Sequence, residues 1–138
     1  MRLLRSCGRL LCTEQLVLHR RNLVVHESAL PQGQGWSSMN WQNLEGASRI
    51  PITLSEATAD LDAGPIFLQQ EISLRGHELV DEWRDLQAQA TLELCPAWFD
   101  HYREVVAASQ PQHGEAKHYR RRWRPIPSWI PSAPWQSS

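Results

Sequence analysis

The chain has 138 residues, 41% of them hydrophobic and 21% charged, with a formal net charge of −1. That is enough for one ordinary domain with a hydrophobic core. The charge balance argues against a polyanionic partner for the molecule as a whole.

The opening "MRLLRSCGRLLC" is basic and leucine-rich, but Arg5 and Arg9 interrupt it, so it does not read as a signal peptide. Leu11 before Cys12 is the wrong residue for a lipoprotein cleavage site, which wants a small one. No segment approaches the roughly 20 apolar residues that span a bilayer. The three cysteines, at positions 7, 12 and 95, are odd in number and form no Cys-x-x-Cys pair. They point to reduced thiols rather than a disulfide framework or a zinc site. A cytoplasmic protein without a membrane partner is the expectation.

Residues 13–18 read as a short helix, with Thr13 as N-cap and Glu14 favourable to its dipole. "NLVVHE", residues 22–27, follows as a strand whose Leu-Val-Val run suits a sheet covered on both faces. Gly33 and Gly35 mark a loop. "WSSMNWQNLEG" then predicts a helix capped by Ser37 or Ser38 and stopped by Gly46. "RIPITLSEA" is a strand with Ile50, Ile52 and Leu54 on one face, and Pro51 places it at an edge or at the start of a ladder. "ATADLDAGP" is a loop, and "IFLQQEISL" returns as a strand.

From His77 to about Tyr102 the apolar residues Leu79, Trp83, Leu86, Ala90, Leu94 and Trp98 step by three or four, the stripe of a core-facing helix. Pro96 predicts a kink or an early stop. Beyond that the chain changes character: five of its nine prolines fall between Pro111 and Pro134, with Trp123 and Trp129 among them and Trp135 directly after. The reading is a domain over residues 1–110 followed by an irregular, basic, Pro/Trp-rich tail over residues 111–138. Alternating strands and helices predict an α/β sheet. The βαβ unit that normally opens such a domain is not seen, and the chain starts almost at a strand–loop junction.

The residues that carry chemistry begin at His26: His26, Ser28, Leu30, Pro31 and Gly35 spell His-x-Ser-x-Leu-Pro-x-x-x-Gly. Asp62 follows 36 positions after the histidine, in "LDAGPI". This pattern resembles the formyltransferases that use 10-formyltetrahydrofolate, a family acting on methionyl-tRNA, glycinamide ribonucleotide and nucleotide-linked amino sugars. The similarity covers about residues 6 to 122, the second part of the family's catalytic domain. It implies a Rossmann-like α/β formyltransferase domain, incomplete at its N-terminus, that moves a one-carbon formyl unit to a primary amine in a biosynthetic step.

By that resemblance His26 would hydrogen-bond the formyl oxygen as negative charge develops there, and Asp62 would raise the imidazole pKa and take up the amine's proton. Ser28, Leu30 and Pro31 would shape the loop. Arg9, Leu10 and Leu11, with Thr58, Asp60 and Leu61, would line the slot for the folate's pterin ring, largely through backbone groups. The acceptor would be a small-molecule amine, with a nucleotide-linked amino sugar favoured because the further C-terminal domain used for tRNA is not seen. No metal is implied.

One departure bears on activity. The family's catalytic asparagine stands two before the histidine, and here that position is Val24. Side chains two apart on a strand share a face, so valine keeps the strand and supplies no donor. Asn22 is on the same face but roughly 13 Å from His26 along a strand.

Residue-level alternatives stand beside the resemblance. Without its motif His26 would be a structural histidine, and Asp62 an ordinary turn aspartate before Gly64. Ser28 as a nucleophile has no oriented third partner, and hydrogen-bonding the turn is its better role. His101, His113 and His118 form no recognised metal spacing. "HYRRRWR" is a solvated basic segment or a nucleic-acid contact. Two further functional readings therefore remain open: a non-catalytic remnant of a formyltransferase, and a small binding module with a basic tail.

Overall fold

The structure, a computed structural model, describes residues 1–5 and 11–121. Cys7, Arg9, Leu10 and the Trp-rich segment from residue 122 onward lie outside the described residues. In chain order the elements are β1 (Arg2–Arg5), α1 (Thr13–Leu16), β2 (Asn22–His26), β3 (Gln32–Gly35), α2 (Ser38–Leu44), β4 (Arg49–Glu56), β5 (Ile66–Ser73), α3 (Val80–Asp100), α4 (Tyr102–Ala107) and β6 (Lys117–Tyr119).

The main sheet has the order β1–β2–β4–β5. β1 runs parallel to β2, while β4 is antiparallel to both β2 and β5. The predicted α/β class holds, as a mixed sheet. Alternation explains its two covered faces. Ile50, Ile52 and Leu54 are wholly buried on one side of β4, and Thr53 and Ser55 are equally buried on the other. Leu23 and Val25 of β2 share the core with Phe67, Ile72, Ala90, Leu94 and Trp98. The indole of Trp98 meets Phe67 and Tyr102 edge to face, at centroid separations of 5.9 and 4.9 Å.

Pro51 lies in an interior strand, because β4 sits between β2 and β5. It is tolerated there because β2 pairs only with residues 53 to 56 of β4, so Pro51 stands at the start of that ladder. The second helix begins after Ser37, which takes a left-handed φ of 55°, and Gly46, at φ 81°, follows its end.

Four expectations need correction. The first helix spans only Thr13–Leu16, with Cys12 rather than Thr13 at its N-cap. The Gln15 side chain accepts from the Cys12 amide and closes that turn. The long helix starts after Leu79, which is 73% exposed and so leaves the apolar stripe. It also passes through Pro96 and ends only at Asp100. Pro96 is exposed, so the backbone bond it removes is lost on the wet side.

The fourth correction concerns residues read as loop or irregular tail. Gln32–Gly35 and Lys117–Tyr119 pair in parallel as a second, two-stranded sheet. Neither segment alternates apolar and polar residues, so no period announces it. Glycine makes the close pairing feasible: at Gly35, with φ +104°, a Cβ would stand 2.4 Å from the Tyr119 carbonyl oxygen.

Candidate active site

β2 ends in His26, whose side chain is 8% exposed. Its Nε2 lies 2.8 Å from the Gly33 carbonyl oxygen, which can only accept, so Nε2 is the donor. The other ring nitrogen, Nδ1, faces Asp62 Oδ2 at 3.5 Å, and the Asp62 side chain is also 8% exposed. Two residues 36 positions apart in sequence thus meet where β2 ends and the loop between β4 and β5 folds back.

Several groups hold Asp62 in place. Its Oδ2 accepts from the Gly35 amide at 2.9 Å. Its backbone carbonyl accepts from Gln34 at 3.3 Å and from Gln112 at 2.6 Å. The same Gln112 amide reaches the Gly64 carbonyl at 2.8 Å. Asp62 has φ 51°, a left-handed conformation that Asp adopts more readily than most residues. A turn bracing an exceptional φ from three directions is a held geometry.

The loop between His26 and Gly33 is equally defined. Leu30 is buried, the Leu30–Pro31 peptide is cis, and the Gln32 amide bonds the Ala29 carbonyl at 2.9 Å. Ser28 is 1% exposed, and it is its backbone oxygen that is used, accepting from Thr53 Oγ1 at 2.6 Å. The expected hydroxyl bond to the turn is not formed among the described residues. The Asn22 amide is spent on the Leu16 carbonyl at 2.9 Å, far down the strand from the histidine.

A cleft of about 340 Å³ opens against this pair. His26, Val24 and Asp62 line it together, as do Leu11, Thr58, Asp60 and Leu61. Thr58 Oγ1 donates to the Asp60 carbonyl at 3.0 Å and shapes the 58–62 turn. All of the sequence-predicted site residues that are described therefore border one space, while Arg9 and Leu10 lie outside the described residues.

Sequence reasoning missed several contributors. Glu27, next to His26, lines the cleft, and burial raises its carboxyl pKa above the ordinary value. Gln87 of α3 donates to one of its oxygens, and Ser38 Oγ donates to the other at 3.4 Å. Gln34 and Gln112 brace Asp62, as described above. Trp36, at the cleft rim, has the Arg121 guanidinium 4.3 Å from its ring centroid. Adjacency to His26 was the only signal for Glu27; Gln87 and Ser38 sit on readable helices, but nothing in a period says which polar residue will face the cleft.

Among the described residues no group of three or more His, Cys, Asp or Glu could hold a metal ion, and no helix is long and apolar enough to cross a membrane.

No protein-family model matches the chain. A methionyl-tRNA formyltransferase of Thermodesulfovibrio yellowstonii is 28% identical over 109 residues, which is 78% of this chain and 35% of that protein. HypX from Aquifex aeolicus, solved in complex with tetrahydrofolic acid, superposes with a TM-score of 0.74 at 16% identity, covering 88% of this chain and 21% of its own. The formyltransferase PseJ from Anoxybacillus kamchatkensis, solved with UDP-4,6-dideoxy-4-formamido-L-AltNAc and tetrahydrofolate, superposes with a TM-score of 0.71 at 18% identity. That match covers 85% of this chain and 62% of PseJ. The chain spans about a third of the length of its curated relative. In sequence and in fold it is similar to the formyltransferase family, over part of the length of that family's members.

Proposed function

We propose that this chain carries a formyl-transfer site that moves a formyl group from 10-formyltetrahydrofolate to a primary amine. The observation that carries the reading is the pairing of buried His26 and Asp62 at the wall of a cleft. The folate supplies a carbonyl carbon already activated for attack. Apolar Leu11, Val24 and Leu61, together with the 58–62 turn, provide a lining suited to a flat, partly polar ring system, at a volume within the range of ligand pockets.

In this reading His26 is oriented by the Gly33 carbonyl, which leaves Nδ1 toward the reacting side. With Nε2 donating to Gly33, Nδ1 carries a proton only in the imidazolium; in that form, with the Asp62 contact of 3.5 Å at the outer limit of a hydrogen bond, Nδ1–H can turn toward a substrate oxygen that is gaining charge. Asp62, with Oδ2 held by the Gly35 amide, keeps a second oxygen for the proton the amine gives up. Val24 adds no donor, so the site works with one group fewer than the motif normally supplies.

For the acceptor, a small amine linked to a nucleotide is the preferred class. Trp36 with Arg121 at the rim offers an aromatic face beside a cation, which suits a base and a phosphate. The step would be biosynthetic and cytoplasmic.

The test is thermal unfolding with and without saturating 5-formyltetrahydrofolate, a stable analogue of the donor. An upward shift is expected, about 2.7 kcal/mol at a hundredfold excess over Kd. A cooperative transition that ignores the folate would refute the reading. Given a shift, transfer to the 4-amino precursor of the PseJ product and to simpler amines follows.

A further inference from the structure

Among the described residues that line the cleft, Glu27 is the one acidic side chain that the proposed reaction has not used, apart from Asp60 at the exposed turn. Three elements fix it. β2 delivers it directly after His26, α2 supplies the Ser38 hydroxyl, and α3 supplies the Gln87 amide. A further amide, from Gln42 on α2, takes the Glu27 backbone carbonyl. Both carboxylate oxygens thus have one neutral donor each, and each keeps a lone pair.

Two neutral donors, a hydroxyl and an amide, do not neutralise a carboxylate. His26 is the titratable neighbour on β2, Asp62 faces it from the β4–β5 loop, and Arg84 of α3 lines the same cleft. No ion pair joins Glu27 to Arg84 or to any other cation among the described residues. An oriented, half-buried carboxyl group that no cation neutralises is a binding feature when a cation can reach it. Primary amines arrive in water as ammonium ions with three donors, and the open lone pairs of Glu27 match them.

The geometry points to Glu27 as the residue that receives the ammonium group of the acceptor beside the His26–Asp62 pair, so that this site selects an amine over the corresponding alcohol. The inference rests on the formyl-transfer reading and adds the acceptor's anchoring point to it. Burial disfavours the charge on Glu27, and a cation placed beside it favours the carboxylate.

The experiment compares matched pairs of probes, each a primary amine and the alcohol that replaces it. The pairs are the UDP-linked 4-amino sugar with its 4-hydroxy counterpart, and glucosamine with glucose. Binding is read by calorimetry on the full chain with tetrahydrofolate present, for the wild type and for Glu27→Gln. The glutamine keeps the shape and still accepts from Ser38 or Gln87. The wild type is expected to prefer the amine by about tenfold or more in at least one pair. Glu27→Gln should lose that preference while its unfolding temperature and its folate shift stay within a few degrees of the wild type.

A wild type without preference in either pair, or a variant that keeps the preference, overturns the proposal. Glu27→Asp is the control for a purely structural role. It retains the charge, so it should retain part of the preference, and equal loss in both variants would also count against the proposal. Failure of the formyl-transfer reading is separate, because it appears as an absent folate shift in the wild type.

Discussion

The imidazole of His26 and the carboxylate of Asp62 face each other at 3.5 Å, while the second ring nitrogen of His26 is taken by the Gly33 carbonyl and the second contact of Asp62 Oδ2 by the Gly35 amide. The two glycines sit in one short strand, so a single loop orients both members of the pair. A backbone group of that strand holds the ring nitrogen and another holds the carboxylate oxygen, while the Gln34 and Gln112 side chains hold the Asp62 backbone carbonyl.

Asp62→Asn should leave the fold and remove the proton acceptor. The amide oxygen still accepts from Gly35, and asparagine tolerates the left-handed φ at this position. Formyl transfer is expected to fall by about two to four orders of magnitude, with the unfolding temperature within a few degrees of the wild type. Retained transfer would show that Asp62 only supports the loop.

Val24→Asn restores a donor on the face that carries His26. Val24 borders the cleft, so the new amide has room and access to ligand or solvent. A second donor at the developing oxyanion is worth about two to three orders of magnitude, and transfer should rise toward that range. An unchanged rate would mean that the oxygen is not placed near this position.

Gly35→Ala tests the joint between the two sheets. A Cβ would stand 2.4 Å from the Tyr119 carbonyl, and the φ of +104° excludes an unstrained alanine. We expect a loss of about 1–3 kcal/mol from the backbone conformation, and more if β6 is displaced. It is read as a lower denaturant midpoint at constant slope, with weakened folate binding because the Gly35 amide leaves Asp62.

Glu27 contributes a pH dependence of opposite sign to that of most carboxyl groups. Its folded pKa is raised, mainly by burial, and His26 opposes the rise. In the unfolded chain it returns to about 4.3. The folded state therefore holds the proton more tightly, and its stabilising contribution is complete below the unfolded value and disappears as pH rises through the folded one. The stability difference between Glu27→Gln and wild type should grow in favour of the variant as pH increases over that window. Unfolding curves at stepped pH measure it, and a difference that stays flat would show that Glu27 ionises normally.

The two central strands and the long helix were readable because burial there has a period. Ile50, Ile52 and Leu54 alternate, and Ala90, Leu94 and Trp98 recur every four residues; the structure buries all six. Leu79 fits the same spacing and is exposed, since a period cannot say where a helix begins. β3 and β6 could not be read at all. They are formed by glycine, glutamine, lysine, histidine and tyrosine, whose pairing depends on each other and on Trp36 and Trp41, not on local preference.

The sequence by itself determined the chemistry available to this protein: a histidine and an aspartate in a specific loop pattern, and a valine where that pattern carries asparagine. Only the tertiary structure decided which groups meet. The partners of Asp62 come from residues 26, 34, 35 and 112, and those of Glu27 from residues 38, 42 and 87. Hydrogen bonds and burial act over a few ångströms whatever the distance along the chain. A side chain such as Gln112 or Gln87 therefore acquires its role only once the sheets bring its segment to the cleft.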